Sequence, residues 1–248
     1  TGVLRAGYVN YVPACSKNTK TGEMEGIFVD ILEEVARNLN LELEWTEEVG
    51  WATAIEGLET KRYDIIGSPM WNNPKRARVT TMSIPAYYSG IGVFVRSDDN
   101  RFDNNRSLID SPNVRICTVD GSTTSYIAEQ NFPKAAKVTH PEKTQHPQVM
   151  LDVALNKCDV FLNETYQGYQ YSAKNPGEIK NIASEDAIRY FGNCYMFARN
   201  EFLMEHMIDA TLEGLISSGL VEGVLQKHEP APGLFYRVAD KHKTPVLE

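Results

Sequence analysis

The sequence predicts an α/β protein of two lobes, each a mainly parallel sheet flanked by helices, joined by a two-stranded hinge. Three observations predict it. The order strand, polar turn, helix occurs in both halves of the 248 residues. The residues with chemistry in them stand at strand carboxyl ends, where open α/β sheets bind ligands. Two long apolar strands, over 89–96 and 191–198, flank the middle third of the chain. Lobe 1 is therefore expected to hold residues 1–92 and 194–248, and lobe 2 residues 93–193. Two lobes joined by crossing strands, with a ligand cleft between them, is a hinge-closure architecture.

Val3-Leu-Arg-Ala-Gly-Tyr-Val9 reads as a buried strand that stops at the irregular Asn10-Tyr11-Val12-Pro13. Thr21-Gly22 and Gly26 mark a hairpin or loop. From Ile27 the spacing becomes helical. Ile27, Ile31, Val35 and Leu39 recur every four residues, Leu32 widens the stripe, and Asp30, Glu33, Glu34 and Arg37 form the wet face. Residues 41–45 alternate as a strand does, and 51–58 predict a helix that starts on Trp51.

The densest stretch follows: Tyr63-Asp-Ile-Ile-Gly-Ser-Pro-Met-Trp-Asn-Asn-Pro-Lys-Arg76. It predicts a buried strand over 64–67, a run of small and polar residues, then Asn73 as N-cap and Pro74 at the first helical position. Arg76 falls in the first turn, beside the free N–H groups of a helix start. A cation matches that end of the helix dipole poorly unless an anion lies between them. A planar fork of donors next to backbone N–H groups is a carboxylate clamp. The plainer alternative is a surface Arg paired to a neighbouring acid.

The polar run over 97–105 breaks the composition, and a second α/β unit begins. Val114-Arg-Ile-Cys-Thr-Val119 is a strand. Asp120-Gly121-Ser122-Thr123-Thr124 is a turn rich in donors, and 125–130 start a helix. A short strand at Val138-Thr-His, a helix over 147–155 and the strand Cys158-Asp-Val-Phe-Leu162 follow. Asn163-Glu164-Thr165 lies at that strand's carboxyl end, before a helix over 166–175. Residues 201–225 hold two amphipathic helices split at Ser217-Ser-Gly219, and the tail after Pro230 reads as irregular.

A net charge of −8 argues against nucleic acid, since phosphate binding needs a basic surface. No run of about 18 apolar residues is present to span a membrane. The chain starts without Met and close to its first strand, as expected of a mature exported protein. Cys15, Cys117, Cys158 and Cys194 form no C-x-x-C pair and do not cluster with the histidines, so no zinc site and no cofactor are expected. The even count admits a single disulfide among the last three, with Cys158–Cys194 the favoured pair. His140, His146, His206, His228 and His242 fall mostly in loops or on helix faces, where a solvated surface is the default.

Taken in order, several marks resemble the bacterial extracellular solute-binding proteins of the polar amino-acid ABC transporters, with their type II periplasmic binding protein fold. They are Leu4-Arg-Ala-Gly-Tyr, Gly26-Ile-Phe-Val-Asp30, Lys61-Arg-Tyr-Asp-Ile-Ile, Asn73-Pro-Lys-Arg76, Ser83-Ile-Pro with Tyr87-Tyr88-Ser-Gly, Gly121-Ser-Thr-Thr, and Ser218-Gly-Leu-Val-Glu-Gly-Val-Leu-Gln-Lys. The resemblance spans about residues 2–228. It implies that Arg76 holds a ligand α-carboxylate, with Thr123 and Ser122 donating to it, and that Glu164 takes the α-ammonium. It implies Trp51 and Tyr11 as aromatic walls, and Ser68 as a small residue near the ammonium. The implied partners are an amino acid and a membrane permease. The implied form is a monomer, periplasmic or extracellular.

The chain departs from the family where small hydroxyl residues usually stand: here are Pro69 and Trp71. Met82-Ser-Ile-Pro-Ala replaces the usual Phe-Ser-Asp-Pro-Tyr. Tyr11, Trp51 and Trp71 suggest an aromatic box suited to a ring, an apolar chain or a cation. That favours a neutral or cationic α-amino acid over glutamate or aspartate. Two rival readings share the fold. One is a dehydratase of the cyclohexadienyl type, with Glu164 as proton donor; the other is a ligand-binding sensor domain. Binding without catalysis is the expectation, since Gly121-Ser-Thr-Thr lacks the flanks of a nucleophile elbow.

Overall fold

The computed structural model describes residues 2–231 and 233–237. In chain order the first elements are β1 (Val3–Tyr8), β2 (Ser16–Lys17), β3 (Met24–Glu25), α1 (Ile27–Asn38), β4 (Glu42–Glu48), α2 (Ala54–Glu59), β5 (Ile65–Trp71), α3 (Pro74–Ala77), β6 (Thr80–Met82) and β7 (Tyr87–Arg96). After a 3-10 turn at Arg106–Ile109 come β8 (Arg115–Val119), α4 (Thr123–Asn131), β9 (Ala136–His140), α5 (His146–Ala154), β10 (Val160–Glu164), α6 (Thr165–Lys174) and β11 (Ile179–Asn181). The last are β12 (Arg189–Ala198), α7 (Phe202–Ser217) and α8 (Leu220–His228). The chain divides into two compact units, Thr1–Tyr88 with Gly192–Glu248, and Ser89–Phe191. Both passages between them lie within strands, β7 outbound and β12 on return.

In the first unit β1 lies between β4 and β5, parallel to both. β12 runs antiparallel to β5, and β6 antiparallel to β12. The helical stripe of α1 is buried: Ile27, Ile31, Leu32 and Val35 face the sheet and the closing helices α7 and α8. In the second unit β10 is parallel to β8 and β8 to β9, while β7 runs antiparallel to β10. α4 packs on β8 and β10, and α5 and α6 pack on β10 and on each other.

Several expectations need correction. The strand after Tyr63 does not stop at Gly67 but runs to Trp71. Pro69 lacks an N–H, yet the ladder to β12 breaks its register between Cys194 and Met196, opposite this segment. A strand irregularity is where proline is tolerated. The second helix starts at Ala54, not Trp51, because Thr53 sits at its N-cap position and Trp51 stays in the preceding turn.

The disulfide joins Cys117 to Cys158, with Cα atoms 5.7 Å apart, and not Cys158 to Cys194. β8 and β10 are parallel neighbours, which brings these two together, whereas Cys194 pairs across from Met70 in the other unit. Cys15 and Cys194 are free and buried.

The histidines are less solvated than expected. His228 Nε2 lies 3.1 Å from Asp30 Oδ2, and His140 Nε2 lies 3.3 Å from Cys117 Sγ and 3.6 Å from Asp152 Oδ2. His146 meets the Phe161 ring edge-on at 5.7 Å with Nδ1 sealed from solvent, and burial pushes its pKa down to about 4. His206 is exposed, and His242 lies outside the described residues.

The segment over 233–237 is also more regular than expected. Tyr236 exchanges backbone hydrogen bonds with Tyr88, and Phe235 is buried with its ring 5.3 Å from that of Tyr87. Arg237 closes ion pairs to Glu222 and Glu229.

Candidate functional site

In the first unit the candidate residues gather where β1, β4 and β5 end. β5 outruns β1, whose pairing to it stops at Gly7 and Ile66. Ser68 ties the two ends: its Oγ accepts from Val9 N at 2.9 Å and donates to Val9 O at 2.8 Å. It is fully buried, so its hydroxyl acts as a strut within this unit. Tyr11 follows β1 and Trp51 follows β4. Their rings meet edge to face, centroids 5.6 Å apart at 80°. Tyr11 is buried, and Trp51 packs on the core patch that includes Val9, Val49 and Met70.

Trp71 closes β5 opposite Asn193 of β12. Its indole Nε1 donates to Asn193 Oδ1 at 2.6 Å, and its carbonyl accepts from Arg76 Nη1 at 3.0 Å. Asn73 caps α3 as expected, but the bond it accepts, at 3.0 Å, comes from the backbone N–H of Arg76 itself. That N–H is therefore occupied and not free, a correction to the sequence reading. Thr80 Oγ1 donates to the Arg76 carbonyl at 2.8 Å. The cap and Thr80 fix the backbone from which the guanidinium starts. Arg76 is only 6% exposed, and burial lowers its pKa to about 10, so it stays charged at neutral pH. A buried guanidinium is costly without anionic company, and its planar fork suits a carboxylate.

In the second unit the candidates stand where β8 and β10 end. Ser122 is the N-cap of α4. Its Oγ accepts from Ser125 N at 3.2 Å and lies 3.0 Å from the hydroxyls of both Thr124 and Ser125. Thr123 follows it, buried, with a hydroxyl that has no hydrogen-bond partner among the described residues. Leaving such a group unsatisfied costs about 1–3 kcal/mol, which a ligand or water would relieve. Glu164 is the last residue of β10 and is 3% exposed. The β8–β10 register pairs Ile116 with Val160 and Cys117 with Phe161. Carried four residues on, Glu164 stands level with Asp120, where the turn to Ser122 and Thr123 begins. Burial, then the Glu164 charge, raise the pKa of Tyr166, the second residue of α6.

Within the first unit the structure thus brings Tyr11, Trp51, Ser68, Trp71 and Arg76 to the strand carboxyl ends, and within the second it does the same with Ser122, Thr123 and Glu164. Sequence reasoning missed Asn193. The available signal was a lone polar residue in the apolar run over 191–198. No group of three or more metal-ligating side chains occurs among the described residues. None of the described helices is long and apolar enough to cross a membrane.

Residues 4–230 match the bacterial extracellular solute-binding proteins, family 3. A probable amino-acid ABC transporter-binding protein of Haemophilus influenzae is 32% identical over 208 residues, 83% of this chain and 76% of that protein. A crystal structure from Wolinella succinogenes, described as a binding component of an ABC transporter complexed with lysine, is similar with a TM-score of 0.80 at 20% identity, covering 93% of this chain and 97% of that one. The crystal structure of an ancestral amino acid-binding protein, a precursor of cyclohexadienyl dehydratase, gives 0.78 at 20% identity over 92% and 95% of the two chains. These two likenesses show the type II periplasmic binding protein fold. With a family match over nearly the whole chain and a relative at 32% identity, the chain belongs to the bacterial extracellular solute-binding proteins, family 3.

Proposed function

We propose that this protein binds one small zwitterionic solute, a neutral or cationic α-amino acid, by hinge closure, and delivers it to an ABC-type permease. The observation that carries the proposal is the buried, charged Arg76 in α3, the short helix that follows β5. Its guanidinium takes the α-carboxylate, together with the Thr123 hydroxyl and the Ser122 turn. Glu164 takes the α-ammonium. A zwitterion held by Arg76 of one unit and Glu164 of the other satisfies charges of both signs, which couples closure to ligand charge as differential binding to one state. Tyr11, Trp51 and Trp71 flank the side chain, and Ser68 ties the ends of β1 and β5 through Val9. The name of the Haemophilus influenzae relative supports an amino acid and an ABC transporter. In this proposal the protein works outside the cytoplasmic membrane, as a monomer and without a cofactor.

The test is calorimetric titration of the protein, stripped by unfolding and refolding, with the proteinogenic amino acids. Binding of one or a few neutral or cationic members supports the proposal. Binding of none, or of acidic members alone, overturns it. The ancestral neighbour's link to a dehydratase keeps one rival in view, with Glu164 as proton donor. That rival predicts turnover of prephenate or arogenate and its loss in Glu164→Gln.

A further inference from the structure

We infer that Asn193 is a positioning residue for ligand specificity: it fixes the plane of the Trp71 indole, which reads the ligand's side chain. The inference deepens the proposal above and rests on it.

Trp71 is half-buried and ends β5. Its only polar handle is the indole N–H, a donor with no acceptor capacity. Asn193 Oδ1 accepts that N–H at 2.6 Å from a fully buried position. Asn193 is itself held firmly. Its carbonyl accepts from Ala86 N at 2.9 Å, and β12 pairs it directly with Trp71. A Cβ on the preceding Gly192 would come within 2.5 Å of the Pro85 ring, so the strand lies close against its neighbour there. A buried amide in an apolar strand costs free energy unless bonded, and nothing in strand formation asks for asparagine.

Trp71 is also the residue whose carbonyl holds Arg76 Nη1. The carboxylate clamp and the ring are therefore set by one residue, at a fixed distance along the ligand. A ring fixed in this way offers one face to a cation or to a second ring. It offers little to a side chain too short to reach it. The ligand class that follows is an α-amino acid with a long cationic or flat side chain.

The experiment uses Asn193→Leu, Trp71→Phe and the double variant, titrated with L-arginine and L-alanine, with Arg76→Ala as reference. In Asn193→Leu, affinity for L-arginine is expected to fall about 10-fold and that for L-alanine less than about 2-fold, the span of one cation–π contact. Trp71→Phe should show the same loss, and Asn193→Leu added to it no further loss. The indole N–H of Trp71, followed by NMR, should exchange faster in Asn193→Leu. Equal losses for both ligands, an unchanged ratio, or additive losses in the double variant overturn the inference. If Asn193→Leu does not fold, Trp71→Phe alone decides by the same ratio. Arg76→Ala separates the two levels. If it abolishes binding while Asn193→Leu leaves the ratio intact, only the role of Asn193 fails. If the wild type binds neither ligand nor any other amino acid, the proposed function fails and this inference with it.

Discussion

Arg76 keeps its charge in a buried position, with its backbone N–H capped by Asn73 and its guanidinium anchored on Trp71. Replacing it by alanine removes the proposed carboxylate partner and leaves the Asn73 cap in place. Affinity should fall at least about 100-fold, the scale for breaking a buried charged pair. Far-ultraviolet circular dichroism should be unchanged. Retained affinity in calorimetry would count against Arg76 as the clamp.

His146 offers a second test at this scale. Its folded pKa is about 4 against an ordinary 6.5, so between those values the unfolded chain binds the extra proton. Stability must then fall as pH drops from 6.5 towards 4. Denaturant titrations should show His146→Gln with a flatter profile in that window by an amount on the order of 1 kcal/mol. An identical slope would mean the imidazole is not kept neutral by burial.

The cap at Asn73 and the place of Arg76 in the first turn were legible in the sequence. The direction of the Arg76 guanidinium was not, because it depends on a carbonyl five residues away. His146 was misread because a helix start gives no sign of the strand residue, Phe161, that covers its ring.

At the scale of elements, the alternating and four-residue spacings named most helices and strands to within a few residues. The extension of β5 through Pro69 to Trp71 was hidden. A proline there argues against a strand unless its partner breaks register, and the partner, β12, lies more than 120 residues away. The disulfide was hidden for the same reason. Strand order, not spacing, made Cys117 the neighbour of Cys158.

The bond closes a loop 41 residues long between β8 and β10, beneath the turn and strand end that carry Thr123 and Glu164. Replacing both cysteines by alanine should lower stability by about 2–4 kcal/mol in the chain-entropy account. Guanidinium melts would show it, and an unchanged midpoint would contradict it. Gly168 of α6 gives a sharper test of packing. A Cβ there would lie 1.9 Å from the Phe94 ring. Gly168→Ala should therefore destabilise the second unit by about 1–3 kcal/mol through overpacking, despite alanine's better helix propensity.

For the whole molecule, two units built on one strand–turn–helix order place their polar residues at strand carboxyl ends, and family membership supplies the setting. The residues of each half were legible as candidates because they stand at strand carboxyl ends, where open sheets bind ligands, and because the resemblance implied their roles. Asn193 was not, because its role depends on the side chain opposite it in the register. The central claim is that one zwitterion engages Arg76 and Glu164 together. The most direct measurement is thermal melting of the refolded protein against the proteinogenic amino acids and prephenate, in the wild type, Arg76→Ala and Glu164→Gln. At about 100 times its dissociation constant a ligand adds roughly 2.7 kcal/mol, a rise of about 5–10 °C for a chain of this size. That rise is expected in the wild type with one or a few neutral or cationic amino acids, and is expected to vanish in both variants. A rise that survives in either variant, or one given by prephenate and by no amino acid, would contradict the account.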